Sequence, residues 1–225
     1  MKEDFFVLDT IPLKVRPKDV LKQLGYPDKR SVPPATRKKV DAEIGETQSL
    51  IEPEGAYLRL EGVPEKGFQL FSGAEGVILA LATIGAAVEH RAGKLVKTER
   101  AAKGLIVDAI GTVAVEQTAD FVEHKIHRDC DSCGWKVSRR YAPGYCGWEM
   151  EAQKEIFSHF PDTLGIKLTS SCLMIPEKSL SFACLLSSEG DFSKVKVGNC
   201  KRCKQEECPY RSEPYQSGEL GAFDS

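Results

Sequence analysis

The segment between Thr98 and His127 carries the periodicity of one long helix, and it constrains the fold more than any other part of the chain. Its apolar residues form two stripes on nearly opposite faces. The first comprises Ala102, Ile106, Ala109 and Val113, and the second comprises Val115, Ala119, Val122 and Ile126. A helix of this kind must bury different faces in its two halves, and Gly111 lies near the position where the buried face changes. We therefore predict a long central helix.

Short segments typical of strands and short helices surround this helix. The strand candidates include residues 5–15, 56–63, 67–71, 76–85 and 179–186. We expect Cys184, in the last of these, and Cys172, in the preceding segment CLMIP, to be small hydrophobic residues in strands. Helices are predicted at 17–26, 33–52 and 149–160, the second of them exposed. Strands and helices do not alternate regularly, and the chain has no G-x-G-x-x-G or P-loop motif. The prediction is an α+β fold with a mixed, mainly antiparallel, twisted sheet flanked by helices.

We predict that the chain has four parts. Residues 1–70 form an N-terminal α/β segment that packs on a core of residues 71–195. A cysteine cluster follows at 196–211, and 212–225 is a polar tail that we expect to be flexible.

Charge and hydropathy argue against two classes of partner. The formal net charge is −2 and the isoelectric point is about 6.1, so neither nucleic acid nor an anionic membrane is expected to bind. The N-terminal residues lack the features of a signal peptide, and the longest apolar run, 76–88, is too short to span a bilayer. We expect a cytoplasmic protein.

The stretch RRYAPGYCGW, residues 139–148, places an arginine beside a Pro-Gly turn flanked by tyrosines. The guanidinium of Arg140 suits a carboxylate, which it can hold through two parallel hydrogen bonds. Ala142 and Gly144 leave backbone groups open to a ligand, and the rings of Tyr141 and Tyr145 attract cations. The pattern fits a small ligand that has a carboxylate and a positive centre, or alternatively a surface arginine before an ordinary β-turn.

Glu116 continues the helical face that carries Ala109 and Val113, and Asp120 follows one turn later. An acidic residue that extends an apolar stripe can meet the ammonium group of a ligand. It can also mark the place where that face emerges into water, because buried glutamates are rare unless they are paired.

All 8 cysteines lie between residues 130 and 208. Cys200, Cys203 and Cys208 have a spacing that suits zinc or an iron–sulfur cluster, and the C-x2-C pair Cys130 and Cys133 is a weaker candidate for metal ligation. In a cytoplasmic chain, clustered thiols indicate metal or redox chemistry more readily than disulfides, although free reduced thiols remain an alternative.

Several segments together resemble the reactivation domain of cobalamin-dependent methionine synthase, which binds S-adenosylmethionine (AdoMet). They are RYAPGYCGW (140–148), LGIKLTSSCLMIPEKSLSF (164–182), ATIG (82–85) and VDAIGTVAVEQTAD (107–120), within a region of about residues 75–187. The resemblance implies a domain that presents AdoMet to a corrinoid whose Co(II) must be reduced and remethylated.

The resemblance also implies roles for individual residues. Arg140 would hold the AdoMet carboxylate, Ala142 and Gly144 would contribute backbone contacts, Tyr145 would line the pocket, and Glu116 would meet the amino group. The chain departs from the family pattern in three places. Cys146 stands where the family has proline, and the pair of aromatic residues that the family has near the last strand has no clear match here. The C-terminal cysteines are absent from the family pattern.

The chain lacks the corrinoid-binding D-x-H-x-x-G motif and the homocysteine and folate modules of the full enzyme. The resemblance therefore implies a stand-alone activation subunit for a separate corrinoid protein, either a methionine synthase or a corrinoid methyltransferase. A low-potential donor such as flavodoxin or ferredoxin would supply the electron. The alternative is a non-catalytic AdoMet- or metal-binding module that scaffolds or senses a corrinoid methyl-transfer system.

Overall fold

The computed structural model describes residues 5–26, 32–98, 100–145, 147–190 and 192, and it confirms the α+β prediction. The helices are α1 (Pro17–Gln23), α2 (Pro34–Thr47), α3 (Ala87–Lys97), α4 (Ala101–Ser132) and α5 (Ala152–His159). The strands are β1 (Phe5–Leu8), β2 (Glu54–Glu61), β3 (Gly76–Thr83), β4 (Lys136–Val137), β5 (Lys167–Leu168), β6 (Met174–Ile175) and β7 (Ser179–Ser187).

The main sheet has five antiparallel strands in the order β1-β2-β3-β7-β4, and β5 and β6 form a separate small hairpin. Every residue of β3 is buried because both faces of the sheet are covered. Side chains alternate between the two faces along each strand. Ile78 and Phe182 face the C-terminal half of α4, whereas Leu79 and Leu185 face an aromatic core around Phe71.

The predicted long helix is confirmed as α4, and its two halves do bury different faces. Ile106, Ala109 and Val113 pack among α1, α2 and α3, whereas Ala119, Val122 and Ile126 pack on the sheet. The assignment of two stripe residues was wrong, since Ala102 is exposed and Val115 packs with the helices. Within the described ranges no helix is both long and apolar enough to cross a membrane.

Four local predictions were wrong. Residues 67–71 form no strand but lead into a 3-10 helix, Gln69–Phe71, because Phe68 and Phe71 both point into the aromatic core. Helix α3 was not predicted, and β1 ends at Leu8 rather than near residue 15. Cys172 is buried in a turn with φ of 63° rather than in a strand.

The predicted helix at 33–52 is not fully exposed, since Glu43 of α2 is buried and holds α3 and α4. Its carboxylate lies 2.8 Å from Arg91 Nη2 and 2.6 Å from Lys103 Nζ. Burial raises the pKa of Glu43, but the hydrogen bonds and charges of Lys103 and Arg91 outweigh burial and lower this pKa below 4.5. The network therefore stabilises the fold fully only while Glu43 is ionised.

This arrangement predicts part of the acid sensitivity of the protein. A lowered folded-state pKa adds stability above the unfolded value of 4.5, and that stability is lost as the pH falls through the folded-state pKa. Glu43→Gln should lower the free energy of unfolding at pH 7 and flatten its decline toward pH 3, as measured by urea unfolding. Glu46→Gln is the control, since Glu46 also contacts Arg91 but is 55% exposed. An unchanged slope in Glu43→Gln would contradict this role.

Helices α3 and α4 approach closely at Gly104. A Cβ atom placed there would lie 2.7 Å from Val96 Cγ2, 3.0 Å from the Ala92 carbonyl oxygen and 3.2 Å from the Val96 nitrogen. The backbone atoms cannot move aside independently, so Gly104→Ala should lower the unfolding free energy by about 1–3 kcal/mol. Gly93→Ala in α3 is the matched control, because its Cβ would meet nothing within 4 Å. Thermal unfolding should show the control unchanged or stabilised by up to about 1 kcal/mol, and equal behaviour of the two variants would refute the close approach.

Candidate functional site

The segment from β4 to Tyr141 determines where Arg140 points. Tyr141 pairs with Ala183 of β7 through two backbone hydrogen bonds, each 2.8 Å long. The Tyr141 ring therefore lies on the face of the aromatic core, 5.7 Å from the ring centre of Phe71. Because successive side chains of an extended segment point to opposite sides, Arg140 faces α4. Its guanidinium lies 5.8 Å from the ring centre of Phe182.

Arg140 contacts three carboxylates that follow one another along a single face of α4. The Nη1 atom lies 2.6 Å from Asp120 and 2.8 Å from Glu123, and the Nη2 atom lies 2.8 Å from Glu116. The three acids are spaced i, i+4 and i+7, which places them on one face of a helix. The structure thus brings the predicted residues Arg140 and Glu116 into direct contact.

Glu123 holds this segment at two points. One carboxylate oxygen accepts a hydrogen bond from the backbone N–H of Arg140 at 2.9 Å, and the other accepts one from Nη1 of Arg140 at 2.8 Å. Glu123 was not among the predicted site residues. Its position seven residues after Glu116 could have revealed it, but only a structure shows that Arg140 lies opposite this helical face.

The local charge is negative, since the three carboxylates share one guanidinium. Burial lowers the pKa of Arg140, but the hydrogen bond to Asp120 and the charges of Glu123, Asp120 and Glu116 raise this pKa above its ordinary value. Arg140 therefore remains charged. Its side chain is 24% exposed, whereas that of Asp120 is 58% exposed, so Asp120 is the partner that water or a ligand can displace most easily.

The loop after Arg140 uses several of its own backbone groups. Tyr145 donates its N–H to the Ala142 carbonyl at 3.2 Å, and Gly144 donates its N–H to the Trp148 carbonyl at 2.7 Å. Gly144 has φ of 86°, and a Cβ there would lie 2.5 Å from Met150 Cε, so this turn requires glycine. The side chain of Tyr145 is largely exposed. Ala142, Gly144 and Tyr145 thus form a tight turn directly beside the Arg140 cluster.

Trp148 anchors the far end of this turn in the aromatic core. Its indole nitrogen donates to the Gly67 carbonyl at 2.7 Å, and its ring packs 4.7 Å from that of Phe71 and 5.4 Å from that of Phe68. The turn is therefore fixed at both ends, to β7 by Tyr141 and to the aromatic core by Trp148.

Cys130 and Cys133, the weaker metal-ligand candidates, lie in contrasting environments. Cys130 is buried at the end of α4 and Cys133 is exposed. Burial raises the pKa of the Cys130 thiol to about 11. No group of three or more metal-ligating side chains occurs in the described part of the chain. Cys200, Cys203 and Cys208 lie outside the described residues, as does Cys146.

Comparison with solved structures identifies the class of fold. The chain is similar to a crystal structure of the MetH reactivation domain bound to AdoHcy, with a TM-score of 0.59 and 13% sequence identity. The similarity covers 81% of this chain and 78% of that one. No protein-family model matches the chain, and no curated protein matches it. The likeness to the reactivation domain, to which the sequence resemblance also points, establishes the fold.

Proposed function

We propose that the chain binds AdoMet and that Arg140 holds the amino-acid end of the ligand. The observation that carries the proposal is the cluster of Arg140 with Glu116, Asp120 and Glu123 beside the Ala142–Tyr145 turn. A fold similar to that of a domain with bound AdoHcy supports the same ligand class.

The charges of the cluster suit AdoMet. The ligand carries a carboxylate, an ammonium and a sulfonium, so its net charge is positive, while the cluster has two more negative than positive charges. The ligand carboxylate would replace the exposed Asp120 on Arg140, and the ammonium would bind the less exposed Glu116. This exchange keeps Arg140 and Glu116 paired and releases Asp120, which is 58% exposed, to water, so the less exposed charges of the site are not left without a partner.

The role that best fits such a site is that of a stand-alone activation subunit. A partner methionine synthase or corrinoid methyltransferase would bring its Co(II) corrinoid to the bound AdoMet. One electron from flavodoxin or ferredoxin would reduce the cobalt, and the sulfonium methyl would then pass to it, which leaves AdoHcy. The contribution of this chain is orientation: Arg140 and the rigid turn hold the ligand so that the methyl faces the partner.

The test uses three ligands that differ at the amino-acid end and at the sulfonium. Calorimetric titration should show saturable binding of AdoMet and of AdoHcy, since both have the carboxylate and the ammonium. 5′-Methylthioadenosine lacks both groups and should bind at least about tenfold more weakly. Equal binding of all three ligands, or no binding of AdoMet, would refute the proposal. Release of AdoHcy with a reduced corrinoid partner would then distinguish an activation subunit from a non-catalytic module.

We also propose that Cys200, Cys203 and Cys208 bind zinc or an iron–sulfur cluster, on the basis of their spacing alone. Protein purified without oxygen should contain stoichiometric metal, measured by elemental analysis, and the triple serine variant should lose it. A Cys130→Ser, Cys133→Ser variant should retain the metal. Metal-free wild-type protein would show that these thiols are free.

A further inference from the structure

Helices α3 and α4 form a groove that is separate from the Arg140 cluster. The groove has a volume of about 740 Å³ and lies over the close contact at Gly104. Its walls carry Val96 and Leu105, whose exposed fractions are 55% and 62%. Two large aliphatic side chains thus face water on the two sides of one groove.

The charged residues are distributed unevenly along this groove. Glu89, Asp108 and Glu177 line it toward the N-terminus of α3, and neither lysine nor arginine occurs among the described residues that line it. Asp108 pairs with Lys178 at 2.7 Å, so one of these three carboxylates already has a cationic partner. The opposite end, where α3 turns into α4, carries the exposed Lys97 and Arg100 just outside the lining.

We propose that this groove docks an amphipathic helix of a partner protein. The apolar face of that helix lies between Val96 and Leu105, and its N-terminal turns carry lysine or arginine toward Glu89, Asp108 and Glu177. Its C-terminal end lies near Lys97 and Arg100, which complement the negative end of the helix dipole. The residues of α3 that line the groove run from Glu89 to Val96, about 12 Å along the helix, so the groove accommodates about two turns with anchors at i, i+3 or i+4, and i+7.

Docking at this groove would leave the Arg140 cluster accessible. Asp108 precedes Glu116 by eight residues of the same helix, which corresponds to about 12 Å. The inference therefore does not rest on AdoMet binding. A partner helix in the groove would hold a second protein beside the site without entering it.

The test uses two synthetic probes with fluorescent labels. The first is a helical peptide with leucines at i, i+3 and i+7 and lysines in its N-terminal turns, and the second has glutamates in place of the lysines. Fluorescence anisotropy should show saturable binding of the basic peptide and binding of the acidic peptide at least about tenfold weaker. Equal affinities, or no binding of the basic peptide, would overturn the proposal.

A matched pair of variants separates docking from general charge attraction. Leu105→Glu alters the groove, and Leu173→Glu alters an equally exposed leucine in the β5–β6 turn, at 62% and 65% exposure. Both add one negative charge, so non-specific attraction predicts tighter binding of the basic peptide to both. Docking predicts binding about tenfold weaker in Leu105→Glu only, because the apolar contact is lost. If Leu105→Glu binds the basic peptide as tightly as the wild type does, the proposal is wrong. It is also wrong if sedimentation shows that the wild type is a dimer and that Leu105→Glu is a monomer, because the groove would then be covered by a second copy of this chain.

Discussion

Replacing Arg140 by alanine is expected to weaken AdoMet binding by about a hundredfold or more. A hydrogen bond to a charged group contributes about 1.5–3 kcal/mol, and the guanidinium offers two such bonds to one carboxylate. Arg140→Lys keeps the charge but offers no planar pair of donors, so its affinity should lie between those of the wild type and the alanine variant. The measurement is calorimetric titration with AdoMet.

The control for this prediction is the neighbouring arginine. The guanidinium of Arg139 lies 5.2 Å from the ring centre of Tyr141, on the other side of the segment from α4. Arg139→Ala removes the same charge from a side chain that lies over the Tyr141 ring, and it should leave the affinity within about twofold of the wild type. If Arg139→Ala and Arg140→Ala weaken AdoMet binding equally, only the general charge of the surface matters and the proposed role of Arg140 is wrong.

The largest loss of stability is expected for Phe71→Ala. Phe71 is fully buried and packs against Phe68, Tyr141 and Trp148, with ring centres 6.0, 5.7 and 4.7 Å apart. Its removal creates a cavity, so the free energy of unfolding in urea should fall by about 3–5 kcal/mol. Because Tyr141 and Trp148 fix the two ends of the site turn, AdoMet affinity should fall as well in the protein that remains folded.

Phe6→Ala is the matched control for this core. Phe6 also stacks on an aromatic ring, that of Tyr57 at 4.9 Å, but it is 43% exposed on the edge strand β1. Its removal leaves a surface gap that water fills, so the free energy of unfolding should fall by only about 1 kcal/mol. The AdoMet affinity should be unchanged. Similar losses in both variants would mean that the aromatic core does not anchor the turn.

The sequence predicted α4, β2, β3 and β7 well because their apolar residues keep one period over many positions. The prediction failed where one sequence pattern is compatible with two kinds of secondary structure. Phe68 and Phe71 are compatible with a strand or a helical turn, and only the core that both side chains enter decides between them. α3 was missed because the apolar run that forms β3 continues into Val88, which conceals the boundary.

The candidate site was predictable in part. Arg140, Gly144 and Tyr145 come from one contiguous motif, so local sequence places them together. The contact between Arg140 and α4 depends instead on the pairing of Tyr141 with Ala183, which joins distant parts of the chain. For that reason the helical face and the family resemblance both suggested Glu116, whereas neither gave a reason to choose Glu123, which makes two hydrogen bonds to Arg140.

The central claim is that Arg140 exchanges a carboxylate of α4 for that of AdoMet. The most direct measurement is the crystal structure of the chain with AdoHcy, which has the same amino-acid end. We expect the ligand carboxylate to lie within hydrogen-bond distance of the Arg140 guanidinium, Asp120 to be displaced, and the ligand ammonium to lie near Glu116. A ligand bound elsewhere, with Arg140 still paired to Glu116, Asp120 and Glu123, would contradict it.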